Sequence, residues 1–364
     1  MKNLRIGNLV ANVPIVQGGM GVGVSLSGLA SAVANEGGIG VISSAGLGLY
    51  YRNLSSDYIQ ASILGLKEEI RIAKSKASGI IGVNIMVAMT NFADMVETAI
   101  SEKIDIIFSG AGLPLDLPKY LTKGSKTKLV PIVSSARATK IICDKWSNLY
   151  NYLPDAIVVE GPKAGGHLGY KIEQISNENF TLEHLLPQIV EEVKFYEEKY
   201  DKKIPVIAAG GVYTGEDIAK MLELGASGVQ MGSRFVTTVE CDASEEFKNL
   251  YIQAKEEDLT IIQSPVGMPG RAINNEFLDK VKRGETQPKS CPFHCIKTCN
   301  IENSPYCIML ALYNAYKGNM DKGYAFAGVN AYRAEKIITV KETFAKIKEE
   351  FENYLVQRLR LAVI

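Results

Sequence analysis

The sequence has no excess charge of either sign. Lys and Arg together number 40, as do Asp and Glu, in a chain of 364 residues. Without an overall electric field, a protein has no general attraction for nucleic-acid phosphates or for anionic lipids. We therefore expect a small-molecule substrate and neither a nucleic acid nor a membrane as partner. The sequence is compatible with a homodimer but does not decide the oligomeric state.

Signals for export and for membrane insertion are also missing. The first residues contain no compact apolar run followed by a small-residue cleavage site. The stretch from Ile6 to Asn35 has no charge, but Pro14, Gln17 and a cluster of glycines interrupt it and argue against a lipid-spanning helix. We expect buried strand, loop and helix there, and a cytoplasmic protein.

Apolar material, by contrast, is ample. Hydrophobic residues make up 46% and charged residues 22% of the chain, as in soluble globular proteins. The length suits one barrel of about 250 residues with an appended part. Short apolar runs bounded by Gly or Pro alternate with helical stretches, which is typical of βα units around a parallel sheet.

These runs predict an α/β fold, a TIM-type (β/α)₈ barrel. They are continuous apolar segments, as expected for parallel strands buried on both faces. The predicted strands are Pro14–Gln17, Gly38–Ser43, Ile80–Met86, Asp105–Ser109, Leu129–Ser134, Ala156–Glu160, Pro205–Ala209 and Gly228–Gly232. Helices predicted between them include Leu26–Asn35, Asp57–Lys76, Asn91–Ser101, Thr181–Tyr200 and Thr214–Leu224.

The pattern changes after about Lys255, where no further strand is expected. A stretch rich in Pro, Gly and Cys runs to Gly328, and a charged helix is expected from Ala334 to about Arg360. We therefore predict a barrel over residues 1–255, a C-terminal, mostly helical cap or insertion over 256–330, and a helix within 331–364 that packs on the barrel.

Two short glycine-containing segments mark a candidate phosphate site. Gly210 and Gly211 follow the seventh predicted strand, and Gly232 and Ser233 follow the eighth. Barrels of this kind commonly hold phosphate groups after these two strands. Glycines let backbone N–H groups approach phosphate oxygens, helix N-termini add a favourable dipole, and Arg234 could add charge.

A doubly wound nucleotide fold is the main competitor, and its fingerprint fails. Gly19 and Gly21 begin a G-x-G pattern, but Val24 stands where the last glycine should be. The second strand also lacks a suitable acidic end.

The loop after the sixth strand carries the candidate catalytic residue. His167 is flanked by Gly165, Gly166 and Gly169. A histidine is easily tuned for proton transfer near neutral pH, and its place at a barrel mouth favours a functional role. His184 and His294 are interpreted as structural.

Five ordered motifs resemble the FMN-dependent nitronate monooxygenases, formerly called 2-nitropropane dioxygenases, and the related flavin-dependent enoyl-acyl-carrier-protein reductases. The motifs are Pro14–Met20, Gly82–Asn84, Ala164–His167, Ala208–Gly211 and Gln230–Ser233. The resemblance implies that FMN is the cofactor and that His167 is the catalytic histidine. The cofactor-binding residues that we predict on this basis are Gly18, Gly19, Met20, Asn84, Ser134, Glu160, Gly165, Gly166, Gly210, Gly211, Gln230, Met231, Gly232 and Ser233.

The resemblance leaves the reaction open. The monooxygenases usually carry Gln where this chain has Glu160, both groups usually carry Glu in place of Lys163, and Pro162 matches neither. We expect a nitronate monooxygenase that uses O₂. The alternatives are an enoyl reductase, which would need NAD(P)H, and a non-catalytic flavin-binding module.

Downstream residues supply weaker candidates. The loop from Ser264 to Arg271 could close over the substrate, with Met268, Arg271 and the upstream Lys163 as substrate contacts. Aromatic residues of the same region are interpreted as cap core, namely Tyr306, Tyr313, Tyr316, Tyr324 and Phe326.

The cysteines are expected to be reduced. On a helix, Cys291, Cys295 and Cys299 would form one stripe and, with Cys307, could hold a metal or an iron–sulfur cluster. The C-x₂-C pairs of familiar metal sites are missing, however, and free cysteines are often simply buried. We favour packing and leave the metal open.

Overall fold

The computed structural model describes residues 1–362, in which a closed barrel of parallel strands surrounds the core. The strands are β1 (Leu4–Ile6), β2 (Leu9–Ala11), β3 (Ile15–Gln17), β4 (Ile39–Ser43), β5 (Ile80–Met86), β6 (Ile106–Gly110), β7 (Lys128–Val133), β8 (Ile157–Glu160), β9 (Gly166–His167), β10 (Val206–Ala209), β11 (Gly228–Met231), β12 (Leu259–Gln263) and β13 (Pro269–Ile273). The helices are α1 (Ser27–Asn35), α2 (Leu47–Tyr50), α3 (Tyr58–Lys76), α4 (Phe92–Ser101), α5 (Ala136–Tyr150), α6 (Ile172–Ile175), α7 (Leu182–Tyr200), α8 (Gly215–Glu223), α9 (Ser233–Val236), α10 (Glu245–Gln253), α11 (Glu276–Lys282), α12 (Ile308–Tyr316) and α13 (Val340–Ala362).

The barrel order is β3-β4-β5-β6-β7-β8-β10-β11, and β11 pairs with β3 to close it. Each strand lies within one residue of its predicted bounds at either end, so the (β/α)₈ prediction is confirmed. Side chains alternate along each strand between the barrel interior and the surrounding helices. Val41 and Phe108 fill the interior, whereas Ile42 and Ile107 pack outward. Both faces are therefore buried, which explains the uninterrupted apolar runs.

One end of the barrel is plugged. The hairpin of β1 and β2 inserts Leu4, Ile6 and Ala11 into the interior cluster. A site can therefore form only at the opposite rim, where the strands end and the connecting loops begin.

The chain after Lys255 contains strands that we did not expect. β12 and β13 pair antiparallel, and β13 also pairs with β9, with Gly270 opposite His167. The prediction of no further strand is wrong, because Ile261 and Ile262 belong to a short β-branched run that finds its partners only in the folded chain. A helical C-terminal region is confirmed by α11, α12 and α13.

The last helix returns to the barrel wall. α13 packs against α8 and α1, and Glu350 accepts a hydrogen bond from the Gly215 N–H at 2.9 Å. α8 begins with a cap in which Thr214 and Asp217 form a reciprocal capping box. The three predicted domain bounds remain predictions, and their last two residues, 363–364, lie outside the described chain.

Within residues 1–362, none of the helices combines the length and the apolarity needed to cross a lipid bilayer.

Replacing Gly215 by Ala tests the contact between α8 and α13. An added Cβ would lie 2.2 Å from the backbone N of Phe351, so the two helices must separate. We expect G215A to lower the free energy of unfolding by about 1–3 kcal/mol, as overpacking does. Urea unfolding measures this, with E216A as the control because Glu216 is exposed and its ion pair with Lys220 is worth under about 1 kcal/mol. Equal stabilities for the two variants would contradict the close packing.

Candidate active site

One cavity of about 800 Å³ opens at the carboxyl ends of the barrel strands. Its walls come from segments that are far apart in sequence. The barrel contributes residues after each of its strands, and the C-terminal region contributes Val266–Pro269, Ile296, Ile308–Met309, Leu312 and Phe326–Asn330. The C-terminal region therefore covers the barrel mouth.

Most predicted cofactor residues line this cavity. They are Gly18, Gly19, Met20, Asn84, Ser134, Glu160, Gly165, Gly166, Gly210, Gly211, Gln230, Gly232 and Ser233. Met231 does not line it and is 1% exposed, because side-chain alternation along β11 turns Met231 outward into the helix layer while Gln230 faces the site. The Met231 side chain is therefore turned away from the cavity, and a role for Met231 in cofactor binding stays a prediction.

The turn after β10 has a backbone conformation that favours glycine. Gly210 and Gly211 have φ values of +94° and +91°, which side chains other than glycine rarely adopt. The hydroxyl of Ser233 accepts a hydrogen bond from the Gly328 N–H at 3.0 Å, so the cap meets the barrel at this point.

Two details of the phosphate prediction need correction. The helix that starts at Ser233 has a single turn, so it adds little macrodipole and leaves individual N–H groups as the donors. Arg234 turns away from the cavity, pairs with Glu350 at 3.0 Å and stacks on the Tyr213 ring. Arg234 therefore fixes α13 and adds no charge to this part of the cavity.

His167 stands on β9 in an apolar setting. Its Nε2 lies 2.8 Å from the Ser264 hydroxyl, and its ring packs edge-on against Phe326 with centroids 5.0 Å apart. Burial lowers the pKa of His167 to about 4, because a charged imidazole loses hydration there. The ring is therefore neutral at physiological pH.

Glu160 ends β8 at the floor of the cavity. Burial raises the pKa of its carboxyl group to about 7, so protonated and ionised forms coexist near neutrality. The Tyr170 hydroxyl donates to the Glu160 carbonyl at 2.6 Å, which ties the end of the histidine loop to the strand.

Only two of the three residues predicted to contact the substrate line the cavity. Lys163 and Met268 line the cavity, Lys163 at its exposed rim. Arg271 is 7% exposed and lies on β13, and its Nη1 donates to the carbonyls of Pro162 and Ala164 at 2.5 and 2.8 Å. The expectation of a loop arginine available to an anion is wrong, since Arg271 joins the hairpin to the histidine loop.

The sequence interpretation missed part of the wall. Phe326 was expected in the cap core, yet it lines the cavity beside His167. Tyr306 and Tyr324 are buried as expected, and their hydroxyl groups lie 3.2 Å apart. The Phe326 ring contacts both Tyr324 and His167, with centroid distances of 5.1 and 5.0 Å, so Phe326 joins the buried aromatic residues to the cavity wall.

The segment that carries Cys291, Cys295 and Cys299 is a loop, so the helix on which they would form one stripe is not present. Cys295 is buried, and its burial raises the pKa of its thiol to about 12. Across residues 1–362, no three Cys, His, Asp or Glu side chains are arranged to hold a metal ion.

A closed (β/α)₈ barrel with one large cavity at its carboxyl rim defines a barrel enzyme. The family model described as nitronate monooxygenase matches residues 3–350. The chain therefore belongs to the nitronate monooxygenase family and is an oxidoreductase.

Individual relatives differ in their reactions. The chain is 30% identical over 271 residues to the Mycobacterium tuberculosis (3aS,4S,5R,7aS)-5-hydroxy-7a-methyl-1-oxo-octahydro-1H-indene-4-carboxyl-CoA dehydrogenase, a match to 74% of this chain and to 66% of the relative, just under two thirds of its length. It is 26% identical over 339 residues to a probable nitronate monooxygenase of Staphylococcus aureus, covering 83% of this chain and 87% of that protein. The solved structure of FabK from Thermotoga maritima superposes with a TM-score of 0.72 at 28% identity, covering 96% and 95% of the two chains.

The low pKa of His167 predicts a contribution to acid sensitivity. Its folded value of about 4 lies below the ordinary 6.5, so the unfolded chain binds this proton first as the pH falls. The neutral ring therefore supports folding fully above pH 6.5, and that support is lost between about pH 6.5 and 4. We expect the urea midpoint of H167Q to fall less than that of the wild type between pH 7 and pH 4.5. H184Q is the control, and parallel losses in all three proteins would contradict a buried neutral ring.

Proposed function

We propose that this chain is an FMN-dependent oxidoreductase that uses NAD(P)H to reduce an α,β-unsaturated acyl thioester. The main support is the charge-poor interior of the cavity around a neutral His167. Membership of the nitronate monooxygenase family supports the redox class, and the cavity supports the choice of substrate.

The residues present fit FMN. The cavity has about 800 Å³ of space, which is within the range of cofactor sites. At Gly232, an added Cβ would meet only the Met20 side chain, its sulfur at 3.4 Å and its Cγ at 3.8 Å, so this wall is open toward the cavity. Gly211, Gly232 and Ser233 would hold the phosphate, and Gly18–Met20 with Asn84 would border the ring system. Bound FMN would supply the hydride acceptor and donor.

The charge distribution favours a neutral substrate. Among the described residues, the charged side chains that line the cavity are Glu160, Lys163 and Lys171, and both lysines are exposed. A nitronate anion placed beside His167 would face a neutral imidazole and a half-protonated carboxyl group. A thioester needs no counter-charge, and the Mycobacterium tuberculosis relative is named for a carboxyl-CoA substrate.

His167 would act on the substrate oxygen. Its ring lines the cavity between Phe326 and the hairpin turn at Val266–Met268. A donor N–H at this position can bind the thioester carbonyl oxygen and stabilise the negative charge that develops there when hydride adds to the β-carbon. A proton from solvent would then complete the reduction at the α-carbon. The turn at Val266–Met268 and Phe326 place apolar side chains on the same wall, and a setting of low polarity strengthens such a hydrogen bond.

Nitronate oxidation by O₂ is the second candidate. Its support is the family model and the 26% identity to the probable nitronate monooxygenase. Lys163 and Lys171, the exposed cations of the lining, would have to attract the anion.

Anaerobic stopped-flow spectroscopy separates the candidates. We expect bound FMN to be reduced by NADH or NADPH and then reoxidised by a crotonyl thioester. Reduction by an alkyl nitronate, with oxygen uptake in air and no response to pyridine nucleotide, would overturn the thioester proposal in favour of the second candidate. FMN bound without turnover by any donor would indicate a flavin-binding module, and no bound flavin would refute the cofactor.

A substitution at Gly232 tests where FMN binds. The two methyl groups of G232V would project into the space assigned to the phosphate, while its φ of −108° suits any residue. We expect FMN affinity to fall at least about tenfold with an unchanged urea midpoint, because the lost hydrogen bonds are worth at least about 1.4 kcal/mol. Flavin fluorescence titration measures the affinity. V239A, at an exposed side chain outside the cavity, is the control, and wild-type affinity in G232V would place the phosphate elsewhere.

A further inference from the structure

The hairpin that covers the cavity also touches His167. Ser264 follows β12, and its backbone N–H and C=O close the turn by bonding to Met268 and Gly267 at 3.0 Å each. The Ser264 side chain is buried, and its hydroxyl lies 2.8 Å from Nε2 of His167. The contact joins residues 97 positions apart, so only the folded chain forms it.

The other hydrogen bonds of Ser264 determine which atom is the donor in this contact. The Ser264 oxygen already accepts the Val266 N–H at 3.4 Å. Within residues 1–362, the hydroxyl proton has no acceptor other than Nε2 of His167. If Nε2 carried the ring proton, the buried hydroxyl would have nowhere to donate, which is unfavourable. The hydroxyl therefore donates, and Nε2 accepts.

The donor role of Ser264 determines which ring nitrogen of His167 carries the proton and is available to a ligand. His167 is neutral, since burial lowers its pKa to about 4, and a neutral imidazole carries one proton. With Nε2 accepting, that proton is on Nδ1, which forms no hydrogen bond to the described chain. Because His167 lines the cavity, Nδ1–H is free for a ligand oxygen.

We propose that Ser264 is a positioning residue that holds His167 as the Nδ1–H tautomer, so that the ring presents a hydrogen-bond donor, and not a base, to the substrate. The assignment deepens the proposed function and rests on it only where substrate is concerned. The same hairpin carries Val266 and Met268 on the cavity wall, and the Thr298 hydroxyl holds the Val266 carbonyl at 3.2 Å. Ser264 therefore both closes the turn through its backbone and contacts the His167 ring through its hydroxyl group.

Nitrogen NMR reads the tautomer directly. The chain has three histidines, so ¹⁵N labelling of histidine rings in the purified protein gives few signals, and H167Q identifies those of His167. At pH 7 we expect a protonated Nδ1 and an unprotonated Nε2. S264A should move the proton toward Nε2, the commoner tautomer in water, whereas S264T retains the hydroxyl and should restore the wild-type pattern.

Two results would overturn the proposal. One is a wild-type ring protonated on Nε2, and the other is an S264A ring with the wild-type pattern. A change shared equally by S264A and S264T would point to a steric effect and would also refute it. T260V is the matched control, because it removes a hydroxyl from β12 outside the cavity.

Kinetics tests the consequence for the substrate. In S264A, we expect the flavin reoxidation rate with a crotonyl thioester to fall about 100-fold, as for loss of one hydrogen-bond donor to a developing negative charge. Reduction by NAD(P)H should stay within about twofold, because the effect is confined to the substrate oxygen. A wild-type reoxidation rate in S264A would remove Ser264 from the site. If the protein does not turn over the thioester at all, the proposed function fails, while the NMR result still decides the tautomer.

Discussion

Closure of the barrel between β11 and β3 is the constraint from which the site follows. Strands as apolar as Ile157–Val159 cannot leave either face in water, and pairing the last strand with the first satisfies every strand at once. Because the strands are parallel, closure gathers their carboxyl ends at one rim. The β1–β2 hairpin blocks the other rim. Residues as distant as Gly18 and Gly232 therefore share one cavity.

A second layer of constraint comes from the cap. Three contacts join the hairpin of β12 and β13 to the histidine loop, namely the strand pairing with β9, the Arg271 guanidinium on two loop carbonyls, and the Ser264 hydroxyl on His167. The barrel provides the floor of the site, and the hairpin of the cap orients the His167 side chain above that floor.

Sequence reasoning succeeded where a feature was local. Continuous apolar runs predicted the barrel strands, because this signal depends on neighbouring residues alone. The glycines at 210 and 211 were recognised from their position after a strand. The prediction for the cap was wrong because its strands depend on residues that are distant in sequence. The β12 segment is short, and its partners come from β13 and β9, so nothing local distinguished it from a loop.

The sequence by itself determined the barrel, the rim at which the site forms, and the glycines and histidine that stand there. Apolar periodicity and turn chemistry are written in consecutive residues. Only the tertiary structure decided what surrounds them. It turned Met231 outward, engaged Arg271 with backbone carbonyls, and set Ser264 against His167. The charge and tautomer of a buried imidazole depend on these contacts between distant segments.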